Sequence, residues 1–167
     1  MSFQDQVVLV TGAGRGIGKA IALAFARDGA KVAVNDINPG SCEVVAEEIR
    51  SGGGEAAAFH ADVSNKLAVQ SMLIDLEDRW GRVDVLINNA GVEPHKPIVQ
   101  LDEWDWDRTI DVNLKGAFIC SQSVGRMMIK QGGGVIVNIA SIAGRAAGLR
   151  DRSAYVASKT GLIGFTK

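Results

Sequence analysis

Cysteine, tyrosine and proline are scarce in this 167-residue chain, with two, one and three residues respectively. The cysteines Cys42 and Cys120 and the histidines His60 and His95 are scattered without ligand-like spacing, so neither a disulfide framework nor a metal site is expected. Cys42 falls on an apolar helical stripe with Val45, Ala46 and Ile49, and burial as a small hydrophobe in a reducing cytoplasm fits best. Neither sign of charge is in excess: 18 basic and 19 acidic residues leave a net charge of −1 and are mixed along the sequence. With no basic block to neutralise phosphates, nucleic acid is not an expected partner. No apolar run approaches the ~20 residues needed to cross a bilayer, so no membrane association is expected. Met1 to Gln6 has neither the basic start nor the small-residue cleavage site of a signal peptide. The expectation is a soluble, cytoplasmic protein with one domain over residues 1–167, its 47% hydrophobic content sufficing for one buried core.

What is present is an alternation. Val7 to Val10 is wholly apolar, as suits a strand buried on both faces, and Thr11-Gly-Ala-Gly-Arg-Gly-Ile-Gly18 follows at once. Ile17, Ala20, Ile21, Ala24 and Phe25 then mark a helical stripe that Gly29 stops, and Lys31 to Asp36 reads as a second strand. The pattern Gly-x-Gly-x-x-Gly fails, because Ile17 occupies its third glycine position. Thr-Gly-x-x-x-Gly-x-Gly fits instead, through Gly12, Gly16 and Gly18. Glycines in a turn between a buried strand and an amphipathic helix let the backbone approach a pyrophosphate at the helix N-terminus. Asp36 ends the second strand, where a carboxylate accepts from ribose hydroxyls and repels a 2′-phosphate. The other reading of Asp36 is a strand-end aspartate opening the turn into Asn38-Pro39-Gly40; its position relative to the glycines favours the ribose role.

Further along, the spacing predicts a helix over 41–50, a strand over 56–63, a helix capped by Ser64 and carrying Val69, Met72, Leu73, Leu76 and Trp80, and a strand over 83–87. Asn88-Asn-Ala-Gly91 follows, with small residues and amides suited to a backbone turn against a ligand. A long helix is expected over 103–131 with two apolar stripes: Ile110, Leu114, Ala117 and Phe118 on one side, and Val112, Ile119, Cys120 and Met127 on the other. One stripe covers the sheet and the other calls for a second subunit. Asn113 lies inside this helix, where its propensity is poor; a solvated helix polar is the plain reading. A fifth strand over 135–140 ends at Ser141. Strands and helices alternating in this way give a doubly wound parallel α/β sheet of the Rossmann type in three layers, with ligands bound beyond the carboxyl ends of the strands. Thr11, Asp36, Asp62, Asn89 and Ser141 all fall at such ends.

Tyr155 is the sole tyrosine, and Lys159 stands four residues later in Ser-Ala-Tyr-Val-Ala-Ser-Lys. On a helix the two share a face, so the ammonium can stabilise a phenolate that otherwise forms near pH ~10. With eight lysines in the chain, such a pair arises by chance about one time in twenty, so the pair alone reads as an ordinary helix-surface contact.

Taken together, Thr11 to Gly18, Asp62-Val63, Asn88 to Gly91, Asn113 in Asp-Val-Asn-Leu-Lys-Gly, Ser141, and Tyr155 with Lys159 closely resemble the short-chain dehydrogenase/reductase family over essentially the whole chain. The resemblance implies an oxidoreductase that interconverts a secondary alcohol and a ketone by hydride transfer. It assigns Tyr155 as general acid or base, Lys159 as the group that lowers its pKa and holds the nicotinamide ribose, Ser141 as the substrate-oxygen ligand, and Asn113 as the anchor of a water that relays protons through Lys159. It places dinucleotide contacts at Gly12, Arg15, Gly16, Ile17, Gly18, Asp36, Asp62, Val63, Asn89, Ala90 and Gly91, besides Tyr155 and Lys159. Asp36 implies NAD; Arg15 is a feature of NADP binders, including the 3-oxoacyl-carrier-protein reductases that the sequence also resembles, and repulsion by Asp36 is the stronger effect. The family's sheet continues beyond a helix of this kind, so the expectation is a fold that is C-terminally incomplete at Lys167, lacking later strands and a substrate loop, with an open fifth-strand edge. A homo-oligomer through the 103–131 and 153–167 helices, a small alcohol or ketone as substrate, and a non-catalytic nucleotide-binding module as the alternative complete the expectations.

Overall fold

A computed structural model describes residues 3–145 and 149–167. Five strands, β1 (Val7–Val10), β2 (Lys31–Asp36), β3 (Glu55–His60), β4 (Val85–Asn88) and β5 (Val135–Asn138), form one parallel sheet in the order β3-β2-β1-β4-β5. The helices are α1 (Gly16–Arg27), α2 (Pro39–Ser51), α3 (Lys66–Trp80), α4 (Glu103–Ile110), α5 (Ala117–Gln131) and α6 (Ser153–Thr166).

Register explains why the strands are apolar without alternation. Val8 pairs with Val32 and Val85, and Val10 with Val34 and Ile87; these side chains share a face and pack with Ala22 of α1 and Cys42, Val45, Ala46 and Ile49 of α2. The intervening Val7, Leu9 and Leu86 point to the opposite face, against Val69, Met72 and Leu76 of α3 and Ile119, Cys120 and Val124 of α5. A parallel sheet covered on both sides leaves no polar face to alternate with. The expected three-layer α/β/α arrangement is therefore present. β5 forms one edge, and there Val135 and Val137 remain open to solvent on the α1 side.

Several local expectations are corrected. β3 ends at His60 rather than running to residue 63, which leaves Ala61 to Ser64 as a segment crossing the strand ends. Asn65, not Ser64, caps α3: its side chain accepts from the Leu67 and Ala68 amides, because the Ser64 hydroxyl is committed to Asp62. β4 and β5 are shifted or shortened by one or two residues at their ends. Ile17 does not join the buried stripe of α1; it is 66% exposed, because the first turn of that helix faces a cleft.

The helix expected over 103–131 is present, and it contains a π-helical turn, Asp111–Gly116, between α4 and α5. The wider turn rotates Asn113 inward to 1% exposure, so it is not a solvated helix polar. The stripe of Ile110, Leu114, Ala117 and Phe118, which faces away from the sheet, also has a partner within the chain. α6 packs against α4 and the π turn, with Leu114 closing on Gly161, and only Phe118 on that stripe stays half exposed, edge-on to Phe165 at 6.4 Å between ring centroids.

The glycine turn is shaped by contact as well as by dihedral angle. Gly12 has φ +62°, in the left-handed region. A methyl group on Gly18 would run into the Gly12 carbonyl oxygen and the Asn89 side-chain amide, whereas one on Gly125 in α5 meets nothing within 4 Å. Gly18→Ala is therefore expected to cost about 1–3 kcal/mol by overpacking, and Gly125→Ala to stabilise by about 0.5–1 kcal/mol through helix propensity. Urea unfolding of the two variants checks this; equal midpoints would show that Gly18 is not held in contact.

Candidate active site

β1 and β4 are neighbours, yet the chain leaves β1 toward β2 and leaves β4 toward β5, so a crevice opens above their carboxyl ends. Threonine and asparagine side chains tie its two walls together. Thr11 Oγ1 accepts from the Asn89 and Ala90 amides at 3.0 and 3.1 Å, and Asn89 Nδ2 donates to the carbonyls of Thr11 and Gly12 at 2.9 and 3.1 Å. The glycine turn and the turn after β4 are thus one unit. A cleft of roughly 330 Å³ lies over it. Gly12, Arg15, Gly16, Ile17 and Gly18 form one side of the cleft, Asp36, Asp62 and Val63 another, and Asn89, Ala90 and Gly91 its floor. All eleven sequence-predicted dinucleotide contacts outside α6 therefore converge.

Asp36 is a turn residue in this structure, as one of its two readings has it. Its Oδ2 accepts from Gly14 N and its Oδ1 from Asn38 N, each at 3.0 Å, so the carboxylate fixes the glycine turn and opens the turn into α2. A carboxylate has about four acceptor sites, which leaves lone pairs for hydroxyls in the cleft. Arg15 is exposed at the N-terminal boundary of α1 and lines the same cleft.

Asp62 belongs to a charged cluster that the sequence did not announce. Its Oδ1 accepts from the amide and hydroxyl of Ser64 at 2.9 and 2.8 Å, and its Oδ2 pairs with Arg108 Nη1 of α4 at 2.9 Å. Burial pushes its carboxyl up, but the Ser64 hydrogen bonds and the Arg108 charge outweigh this and hold it below the ordinary carboxylate range. Arg108, Asn35, Ile37, Ala61, Val92 and Val112 also line the cleft and were missed. Only periodicity relative to Asn113, five residues on, could have brought Arg108 to notice.

The second group of predicted residues gathers on α6. Lys159 is 4% exposed, its ammonium 5.8 Å from the Tyr155 ring centroid, and it donates to the Ile139 carbonyl at 2.7 Å. The i, i+4 pairing therefore exists, and the lysine is anchored at the end of β5. Burial pushes the Lys159 ammonium below its ordinary range, against an opposing pull from the Glu93 carboxylate. Ser141 sits just beyond β5, but its hydroxyl accepts from Ala143 N at 3.1 Å and, among the described residues, makes no hydrogen bond to Tyr155. It borders a separate, shallow depression with Ile142 and Ile163.

Asn113 joins the two groups. Its Oδ1 accepts from Val92 N at 2.8 Å, and its Nδ2 donates to Val92 O at 2.9 Å and to Ser158 Oγ at 3.0 Å; Ser158 Oγ in turn donates to the Tyr155 carbonyl at 2.8 Å. Both side-chain donors are spent, so one lone pair on Oδ1 is all the side chain can offer a relay water. Ser158, adjacent to Lys159, and Val92 were missed because nothing in their local sequence marks them as partners of a residue so far away.

The chain is 46% identical over all 167 residues to an uncharacterized oxidoreductase of Thermotoga maritima, of which it covers 65%. It is 45% identical over 163 residues to a 3-oxoacyl-[acyl-carrier-protein] reductase of Synechocystis, covering 97% of this chain and 66% of that one. A crystal structure of a short-chain type dehydrogenase/reductase from Mycobacterium marinum superposes with a TM-score of 0.95 at 34% identity, over 99% of this chain and 68% of the other. The chain thus spans about two thirds of the length of its relatives. The short chain dehydrogenase model matches residues 6–167, nearly the whole sequence, and on that match the chain belongs to the short-chain dehydrogenase family.

Proposed function

We propose that this chain carries the dinucleotide-binding and catalytic groups of an NAD-dependent oxidoreductase that interconverts a secondary alcohol and a ketone. The observation that carries the reading is the buried Lys159 ammonium, fixed on the Ile139 carbonyl one helical turn from Tyr155. The ammonium shares a face of α6 with Tyr155, its nitrogen 5.8 Å from the ring centroid, so both side chains are held on one side of the helix. In the oxidation direction Tyr155 takes the alcohol proton; in reduction it gives that proton to the carbonyl oxygen. A bound nicotinamide accepts or supplies the hydride. Ser141, three residues beyond the end of β5, is the donor to the substrate oxygen once its hydroxyl turns from Ala143. Asn113 acts as a positioning residue, locking Val92 and, through Ser158, the helical turn that bears both catalytic side chains.

The cleft residues fit a dinucleotide: a glycine turn at a helix N-terminus for the pyrophosphate and Asp36 for the adenosine ribose. The Asp36 carboxylate is held by two backbone amides and cannot swing away from a 2′-phosphate, whereas the exposed Arg15 can turn to solvent, which supports NAD over NADP. A second reading, reduction of a 3-oxoacyl thioester, draws support from the 45% identity to the Synechocystis reductase. Initial rates with NAD(H) and NADP(H) against secondary alcohols, sugars and a 3-oxoacyl thioester separate the two. A homo-oligomer is also proposed, with a second copy covering the half-exposed Phe118 and Phe165 rings; sedimentation tests it. Among the described residues no helix is long and apolar enough to cross a membrane.

Tyr155→Phe keeps the ring and removes the proton. It is expected to lower turnover by ~10²–10⁴ while the NADH dissociation constant stays within about twofold; undiminished turnover would take Tyr155 out of the mechanism. Asp36→Ala should move the ratio of NADPH to NADH affinity toward NADPH, and a static ratio in fluorescence titrations would leave Asp36 as a turn residue only. Lys159 gives a pH signature. Its ammonium has a depressed pKa in the fold and an ordinary one of ~10.4 when unfolded, so between the two the unfolded chain binds more protons. Relative to Lys159→Met, the wild type should therefore gain stability as pH rises through the folded value toward ~10.4. Urea unfolding of both proteins at pH 7 and pH 10 reads this difference, and a constant difference would mean that the lysine is not desolvated.

A further inference from the structure

The segment Ala61 to Ser64 leaves β3 and crosses the cleft before α3 begins. It is gripped from both sides. From β2, Asn35 Nδ2 donates to the carbonyls of Phe59 and Ala61 at 3.0 and 3.1 Å. From α4, on the far wall, Arg108 Nη1 reaches Asp62 Oδ2 at 2.9 Å and Ser64 Oγ at 2.8 Å. The Asp62 carboxylate, with its Oδ1 already turned back onto Ser64, is thereby left with one orientation. Its one remaining lone pair, on Oδ2, borders the cleft beside the Val63 backbone N–H, which has no hydrogen-bond partner among the described residues. An ionised acceptor next to a free donor is the complement of an adenine edge, which presents an exocyclic amine next to a ring-nitrogen acceptor.

We propose that Arg108 is a positioning residue for base recognition: it holds the Asp62 carboxylate so that the cleft selects a base with an exocyclic amine. The inference rests on the dinucleotide reading above. A guanidinium is suited to the task, because it is always charged and the ion pair is only partly exposed, 27% for Arg108 and 28% for Asp62. A purely structural staple between α4 and the segment after β3 would affect stability and leave base preference untouched.

The test compares binding of NADH with that of its hypoxanthine analogue, which lacks the exocyclic amine, by fluorescence titration of this chain. The wild type is expected to favour NADH by roughly tenfold or more, the scale of one hydrogen bond to a charged group. Arg108→Met should bring the ratio to within about twofold, Arg108→Lys should restore at least part of it, and Ser64→Ala, which removes one oxygen from the same cluster, should lower it partway. A wild type that binds neither compound overturns the dinucleotide reading and this inference with it. A wild type that binds both equally, or a preference that survives in Arg108→Met, overturns the role of Arg108 alone. If Arg108→Met does not fold, Arg108→Gln, which removes the charge, and Ser64→Ala decide, and wild-type ratios in both overturn the proposal.

Discussion

The side chain of Asn89 holds together two pieces of backbone that the sheet would otherwise let part. β1 and β4 lie side by side, and beyond their ends the chain turns in opposite directions, which exposes backbone groups no strand can satisfy. Asn89 satisfies the carbonyls of Thr11 and Gly12, and Thr11 satisfies the amides of Asn89 and Ala90. Gly18 must lack a side chain because this knot is in its way. Gly91 then abuts Asn113, whose side chain grips the next residue, Val92, and passes the connection through Ser158 to the helix of Tyr155 and Lys159. A crevice created by topology is thus bounded by side-chain amides that run in sequence from the cleft over the glycine turn to α6.

The chain spends its polar side chains economically. Asp36, Asn89 and Asn113 each look like ligand-binding groups in the sequence, yet each has backbone hydrogen bonds to keep within the protein. Their remaining acceptor sites are pre-aimed, because the same atoms that build the turn fix the direction of what is left over. Lys159 differs in kind. Its burial opposes its own charge, and the Ile139 carbonyl, just beyond β5, is its sole hydrogen-bond acceptor among the described residues. That cost to the fold is the kind of local conflict that functional sites retain.

Much of this was legible in the sequence because it depends on short-range patterns. The apolar run Val7–Val10, the glycines after it and the stripe with Cys42 each report their surroundings through period and composition, and the layers follow from their alternation. The convergence of Gly12, Asp36, Asp62 and Asn89 was legible too, because strand ends in a parallel sheet lie along one rim. Contacts between distant segments were not. Arg108 carries no local sign of its pairing with Asp62, 46 positions earlier, and the inward turn of Asn113 depends on a π-helical turn for which hydrophobic period gives no warning. Ser64 has the composition of a helix cap, but its hydroxyl found a stronger, charged acceptor two residues back. The cover supplied to Leu114 by α6 could be seen only once the chain had returned from β5.

The π-helical turn at Asp111–Gly116 also makes this stretch sensitive to length in a way its neighbours are not. A π turn holds one residue more than an α turn, so removing any one residue from it allows α4 and α5 to merge into a regular helix. Each residue of an α-helix accounts for about 100° of rotation, and α5 is anchored in the core by Ile119, Cys120 and Val124. The slip would therefore be taken up by α4, swinging Arg108 off Asp62 while Asn113 is drawn away from Val92 and Ser158. Substitutions at most of these six positions keep the phase of the helix, whereas a single-codon deletion resets it, so natural variation here should be confined to changes of residue type at constant length.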